Sequence, residues 1–247
     1  MPTPFTHLRF ALDLLDNGLP PEVAALFRAE QPAYLLGNIA PDVQAVSGQT
    51  REATHFFAIP RLDTLPAHEH LFERHPALAQ PRLMPAPQAA AVSGYLVHLL
   101  LDETWIQKIF EPVFGSAQPW GTFSERLYLH NVLRSYLDAR DRDRLPRATA
   151  ARLRSAQPRQ WLPCVGDDDL THWRDLVADQ LAPGQPARTV EVFAERMGAD
   201  PHDLAALLAS PEEMQRRVWT RLPSGTLDTY DLECQAQAAR LLADYWR

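Results

Sequence analysis

The stretch Gly94-Tyr95-Leu96-Val97-His98-Leu99-Leu100-Leu101-Asp102, "GYLVHLLLD", places one histidine and one aspartate four residues apart in an otherwise oily run. It lies in the most apolar segment of the chain, Gln88 to Phe110, which reads as a helix ended by Pro112. Apolar side chains run nearly all the way round that helix, so other elements must cover it on most sides. The i, i+4 spacing sets His98 and Asp102 on one face, one turn apart. A buried carboxylate without compensation costs several kcal/mol. Two compensations are open. Asp102 can hydrogen-bond His98 as a core pair, or both can face a divalent cation, for which neutral imidazole and carboxylate are good ligands.

Outward from this helix, apolar residues recur at helical spacing almost throughout, and no period-2 run stands out. The expected class is all-α. "THLRFALDLLDNG" reads as a first helix, capped by Thr6 and stopped at Asn17-Gly18. "PPEVAALFRAEQ" gives a second and "PAYLLGNIAPD" a short third, broken near Gly37 and Pro41. Residues 43 to 65 carry no helical period and read as a long loop, a feature often tied to function. Later helices are expected at Phe123 to Arg142, Asp169 to Leu181, Arg188 to Met197 and Leu227 to Trp246, among others. Ser210-Pro211-Glu212-Glu213 reads as a capping box. A weak seam near residue 145 divides a helical core, residues 1–145, from a C-terminal helical part, residues 146–247, expected to pack on it.

The 247 residues suffice for a sizeable core. A net charge of -7 makes nucleic-acid backbone binding an unlikely default and none specific is expected. Cys164 and Cys234 are too few for a disulfide framework. Arg9 and Asp13 interrupt the N-terminus too early for a signal peptide, and the longest apolar run is too short for a bilayer, so a cytoplasmic protein without a membrane anchor is expected.

Three further fragments repeat the oddity of the opening stretch: "PFTHL", "GNIAPD" and "THFF". His7 falls on the inward face of the first helix, with Phe10, Ala11 and Leu14. Asp42 follows Pro41, where it serves either as a turn cap or as a ligand. His55 precedes Phe56-Phe57 and reads alone as a packed core histidine. Taken in order, the four fragments over about residues 1–110 resemble the zinc-dependent phospholipase C family, which shares a multi-helix bundle with the S1/P1-type nucleases.

The resemblance implies that Asp42, His55, His98 and Asp102 ligate one metal. His7 would serve a second metal, bridged by Asp102. It implies one or two Zn ions, with Mn or Fe as alternatives. In secreted members the mature N-terminus completes the second site; here a Pro2 freed by removal of Met1 would stand in that position. The activity implied is hydrolysis of a phosphoester, lipid headgroup or nucleotide, by a metal-bound water that Asp42 holds or deprotonates. Arg51 and Arg61, near the His55 fragment, are candidate phosphate contacts, and Phe56, Phe57 and Tyr95 candidate walls.

The departures are specific. Lys108 stands where the family has a histidine, and His130 is followed four residues on by Arg134 instead of an acid. A third metal site is therefore not expected, although Asp138 and Glu125 remain as acids in that region. The alternative is a non-catalytic helical binding or scaffold protein that keeps the His/Asp cluster for structure. An HD-type phosphohydrolase would need a deeply placed His-Asp pair, and His202-Asp203 reads as a helix start.

Overall fold

The computed structural model describes residues 1–60, 64–182 and 184–247, and the described residues are helical with no strand among them. The helices are α1 Pro4–Asn17, α2 Pro21–Ala29, α3 Gln31–Gly37, α4 Gln44–Ser47, α5 Arg51–His55, α6 Ala67–Arg74 and α7 Ala86–Trp105. They continue with α8 Phe123–Arg144, α9 Thr149–Arg154, α10 Asp167–Gln180, α11 Thr189–Met197, α12 Pro201–Ala209, α13 Pro211–Met214 and α14 Thr226–Tyr245.

Helix α7 is the axle of the bundle. From Ala89 to Leu99 every residue is buried, and α3, α14, α6, α1 and α2 surround it. The approach of α3 is unusually close. A Cβ on Gly94 would stand 2.4 Å from the Tyr34 carbonyl oxygen and 2.8 Å from the Asn38 amide nitrogen. A Cβ on Gly37 would stand 2.0 Å from the Ala91 carbonyl oxygen. Two glycines facing in opposite directions thus let the α3 and α7 backbones touch, which no other residue permits.

The C-terminal residues close over the same axle. The Trp173 indole on α10 donates to the Ile39 carbonyl at 2.8 Å, Tyr230 on α14 donates to the Leu101 carbonyl at 3.1 Å, and Trp246 donates to Ser93 Oγ at 3.1 Å. Buried Arg9 on α1 binds Asp13 at 2.8 Å and Asp231 of α14 at 3.2 Å, with Asp141 of α8 at 3.6 Å. One continuous apolar cluster includes residues of both halves.

Several local expectations need correction. Helix α1 begins at Pro4, so Thr6 lies inside it and does not cap it; proline suits the first helical position because its missing N–H would be unpaired there anyway. The segment expected as a loop over residues 43–65 contains α4 and α5. Gly48 in the left-handed region ends α4, and the Thr50 hydroxyl caps α5 by accepting from the Ala53 amide. Such helices are too short to show a period. Pro112 does not end the central helix. The chain passes through it in a π-helical segment, Ile106–Phe114, whose widened turn accommodates the missing proline amide. At Ser210 the hydroxyl does cap the Glu213 amide, but the Glu213 carboxylate turns to Arg216 instead of completing the box.

The close contact makes a prediction. Gly94→Ala gains about 1 kcal/mol in helix propensity but must push two backbones apart, at roughly 2–3 kcal/mol or more. The expected net result is a melting temperature lowered by several degrees in a thermal unfolding scan. An unchanged or raised melting temperature would show that the two helices do not meet at this position.

Candidate metal centre

Five side chains from four elements meet beside this crossing. His7 comes from the first turn of α1, Asp42 from a 3-10 turn at Ala40–Val43, His55 from the last residue of α5, and His98 and Asp102 from the middle of α7. Proline at position 41 shapes the turn that carries Asp42. Phe56, in the left-handed conformation at φ 62°, ends α5 directly after His55. All are buried except Asp42, whose side chain is 23% exposed.

Asp102 is the hub. Its Oδ1 lies 3.5 Å from His7 Nε2; its Oδ2 lies 3.3 Å from His55 Nε2 and 3.8 Å from His98 Nε2. Asp42 Oδ1 lies 3.6 Å from His55 Nε2. The His7 and His98 rings stack at 3.7 Å between centroids. Ligand atoms of His55, His98 and Asp102 all fall within 4.8 Å of one another, and so do those of His7, Asp42 and His98.

The outer hydrogen bonds decide which nitrogen faces inward. His98 Nδ1 is 2.8 Å from the Asn38 carbonyl oxygen. A carbonyl only accepts, so Nδ1 carries the hydrogen. Burial, with the neighbouring charge of His7 second, pushes the His98 pKa down to about 3. The ring is therefore neutral near pH 7 and its Nε2 offers a lone pair. Thr54 Oγ1 donates to the Arg51 carbonyl and so accepts from His55 Nδ1 at 3.1 Å. Whenever that ring is neutral its Nε2 is bare as well, 3.3 Å from Nε2 of His98.

Two lone pairs and a carboxylate at these separations repel unless a cation or a proton lies among them. Burial works against a charged His55, yet its bonds to Asp102 and Asp42 raise its pKa. Burial likewise disfavours ionised Asp102, but the histidines around it hold its pKa well below the usual carboxylate range. Both buried nitrogens of His7 and Asp102 Oδ1 make no hydrogen bond. Two facing Nε2 atoms on rings whose Nδ1 is tied to protein oxygen, with the unbonded His7 nitrogens beside them, fit a divalent ion such as Zn.

Arg51 complicates the charge balance. Its Nη2 donates to Asp102 Oδ2 at 2.8 Å, and its guanidinium lies 4.4 Å over the Phe57 ring. It is thus a partner of Asp102 in this structure. Arg61 lies outside the described residues. Phe56, Phe57 and Tyr95 are buried, and the Tyr95 hydroxyl donates to the Thr54 carbonyl.

Other candidates lie apart. Lys108 pairs with Glu233 at 2.8 Å. His130 accepts from the Trp105 indole at 2.9 Å, and burial drives its pKa well down, so it is a neutral packed histidine. Glu125 is exposed at the start of α8. Asp138 accepts from the Thr189 hydroxyl, and burial raises its pKa to about 6. Near Met1, the α-amino group is buried; desolvation and then Arg134 lower its pKa well below normal, while Asp102 and Asp42 act in the opposite sense.

Sequence reasoning missed Asn38 and Thr54, the two residues that orient the histidines, although both lie inside the quoted motifs. It also missed the cavity of about 190 Å³ beside the cluster. Asp42 lines this cavity together with α10 and α11 residues such as Trp173 and Phe193. No family model, curated protein or solved structure matches the chain. The likeness to the phospholipase C family therefore stands on the four motifs.

Zinc at about a hundred times its dissociation constant should add about 2.7 kcal/mol of stability, or roughly 5–10 °C, over protein held in chelator. His98→Ala should abolish that rise. Arg51→Met should enlarge it, because Asp102 then lacks its guanidinium partner in the apo protein. An equal zinc response in all three proteins, read by differential scanning fluorimetry, would contradict this assignment.

Proposed function

We propose that this chain is a metal-dependent hydrolase of a phosphoester, with a lipid-headgroup-like or nucleotide-like substrate. One observation carries the reading: two imidazole Nε2 atoms face one another and a shared carboxylate, and the partly exposed Asp42 links that cluster to an open cavity. His55, His98, Asp102 and Asp42 would hold one ion, and His7 with Asp102 would hold a second. Such an ion supplies Lewis acidity toward a phosphoryl oxygen and eases loss of a proton from water at neutral pH.

The chain's own groups do the remaining work. Asn38 and Thr54 hold His98 and His55 in the tautomers that aim Nε2 inward. Burial opposes ionisation of Asp42, but its bond to His55 outweighs this and holds its pKa below the usual carboxylate value. Asp42 therefore stays an acceptor, able to orient a water in the cavity. The His7 and His98 stack, together with the apolar wall of α7, keeps bulk water away from Asp102.

A second reading, a binding or scaffold protein with a purely structural cluster, is favoured by the Arg51–Asp102 pair, which already gives Asp102 a positive partner. Turnover separates the two. With added zinc, the protein should hydrolyse p-nitrophenyl phosphate or its bis ester, and His55→Ala should lose about 100-fold or more, on the order of 3 kcal/mol of transition-state stabilisation. A zinc-loaded, folded protein that turns over neither ester would favour the scaffold reading.

A further inference from the structure

The cavity beside Asp42 has a second chemical character, set by α8 and by the chain leading into and through α11. Three arginines line it: Arg134 on α8, Arg188 just before α11, and Arg196 on α11. Among the described residues none of the three has a carboxylate within 4.0 Å, in contrast to Arg9, Arg51, Arg140, Arg154 and Arg174. In a protein with a net charge of -7 and more acids than bases, three unpaired guanidinium groups around one hollow are a directed feature.

Arg134 is the fixed member. Its Nε donates to the Met1 carbonyl, its Nη1 donates to Asn131 Oδ1 at 2.9 Å, and the group lies 4.3 Å over the Phe193 ring. Its remaining nitrogen, Nη2, makes no hydrogen bond among the described residues. Burial brings its pKa down to about 10, against the opposing pull of the Asp42 and Asp102 carboxylates, and it is still cationic at neutral pH. Arg188 and Arg196 are exposed at the rim.

The acids near this cavity act on Arg134 at a distance, Asp42 and Asp102 foremost, but none reaches any of the three guanidinium groups at ion-pair distance among the described residues. Asp42 lies 3.6 Å from His55. Asp138 accepts from the Thr189 hydroxyl, and burial raises its pKa to about 6. Phe5, Trp173, Val177 and Phe193 supply apolar wall. The volume of about 190 Å³ admits roughly six waters at about 30 Å³ each, so the occupant is small.

We infer that Arg134, Arg188 and Arg196 form an anion-binding subsite, which holds the doubly charged phosphate of a small organic phosphate while Phe5, Trp173 and Phe193 hold its apolar part. Guanidinium groups match phosphate oxygens in geometry and remain charged throughout the physiological range. The subsite lies on the open side of Asp42, so an ester held there presents its phosphorus toward the His/Asp cluster. That the ligand is also the substrate rests on the hydrolase reading; that it binds does not. The same phosphate chemistry comes from a soluble organic phosphate or from a short lipid headgroup.

The test is isothermal titration calorimetry at low ionic strength on the full chain stripped of metal by chelator. The titrants are phenyl phosphate, dihexanoyl phosphatidic acid below its micelle concentration, and phenol. At least one of the two phosphates should bind, tenfold or more tighter than phenol. Arg188→Gln/Arg196→Gln, a rim variant that leaves the core untouched, should weaken it tenfold or more with an unchanged melting curve. The tighter of the two phosphates names the source. Equal affinity in wild type and variant, or no binding of either phosphate by wild type, would overturn the subsite. Because metal is absent, that failure would leave metal-dependent turnover to stand or fall on its own assay.

Discussion

The contact on which the structure depends is the backbone-to-backbone crossing of α3 and α7 at Gly37 and Gly94. It brings the Asn38 carbonyl to 2.8 Å from His98 Nδ1, a bond that fixes the tautomer of a fully buried ring. From that bond follows the direction of the His98 Nε2 lone pair, and from it the crowding around Asp102. A wider crossing would leave His98 free to donate to Asp102, and the cluster would become an ordinary hydrogen-bonded pair. The glycines thus act on chemistry through geometry: they determine which nitrogen is bare.

Charge at the centre is finely balanced. Asp102 meets three histidines and the Arg51 guanidinium, and Asp42 and the buried Met1 amine lie within reach of the same field. Desolvation penalises every charged form here, so each charge persists only through a partner. Arg51 and a divalent ion are alternative partners for the same carboxylate oxygen. A metal bound here would have to displace that guanidinium, which already gives the buried carboxylate a positive partner.

Much of this was legible in the sequence. The all-helical class followed from periodicity, and His7, Asp42, His55, His98 and Asp102 stood out because each broke an apolar or turn context. Their convergence in space is a property of the fold and not of the string. What stayed hidden has physical causes. Asn38 and Thr54 act through a carbonyl and a shared hydroxyl, which carry no compositional mark. Helices α4 and α5 are too short to repeat a helical period. Pro112 reads as a stop because a π-helical turn has no sequence signature. Arg51 looked like a phosphate contact because its neighbour across the fold, Asp102, is 51 residues away. The arginine wall lies beyond the four quoted fragments, and only the cavity that Asp42 shares with α8, α10 and α11 reveals it.

The most direct measurement is anomalous diffraction at the zinc edge from a crystal of the zinc-treated protein. The arrangement predicts a peak about 2.0–2.2 Å from His98 Nε2, His55 Nε2 and an Asp102 oxygen, with Arg51 drawn away from Asp102. A zinc-treated crystal with no peak among these residues, and with Arg51 still on Asp102, would contradict a metal centre and leave a structural cluster held by protons and a guanidinium.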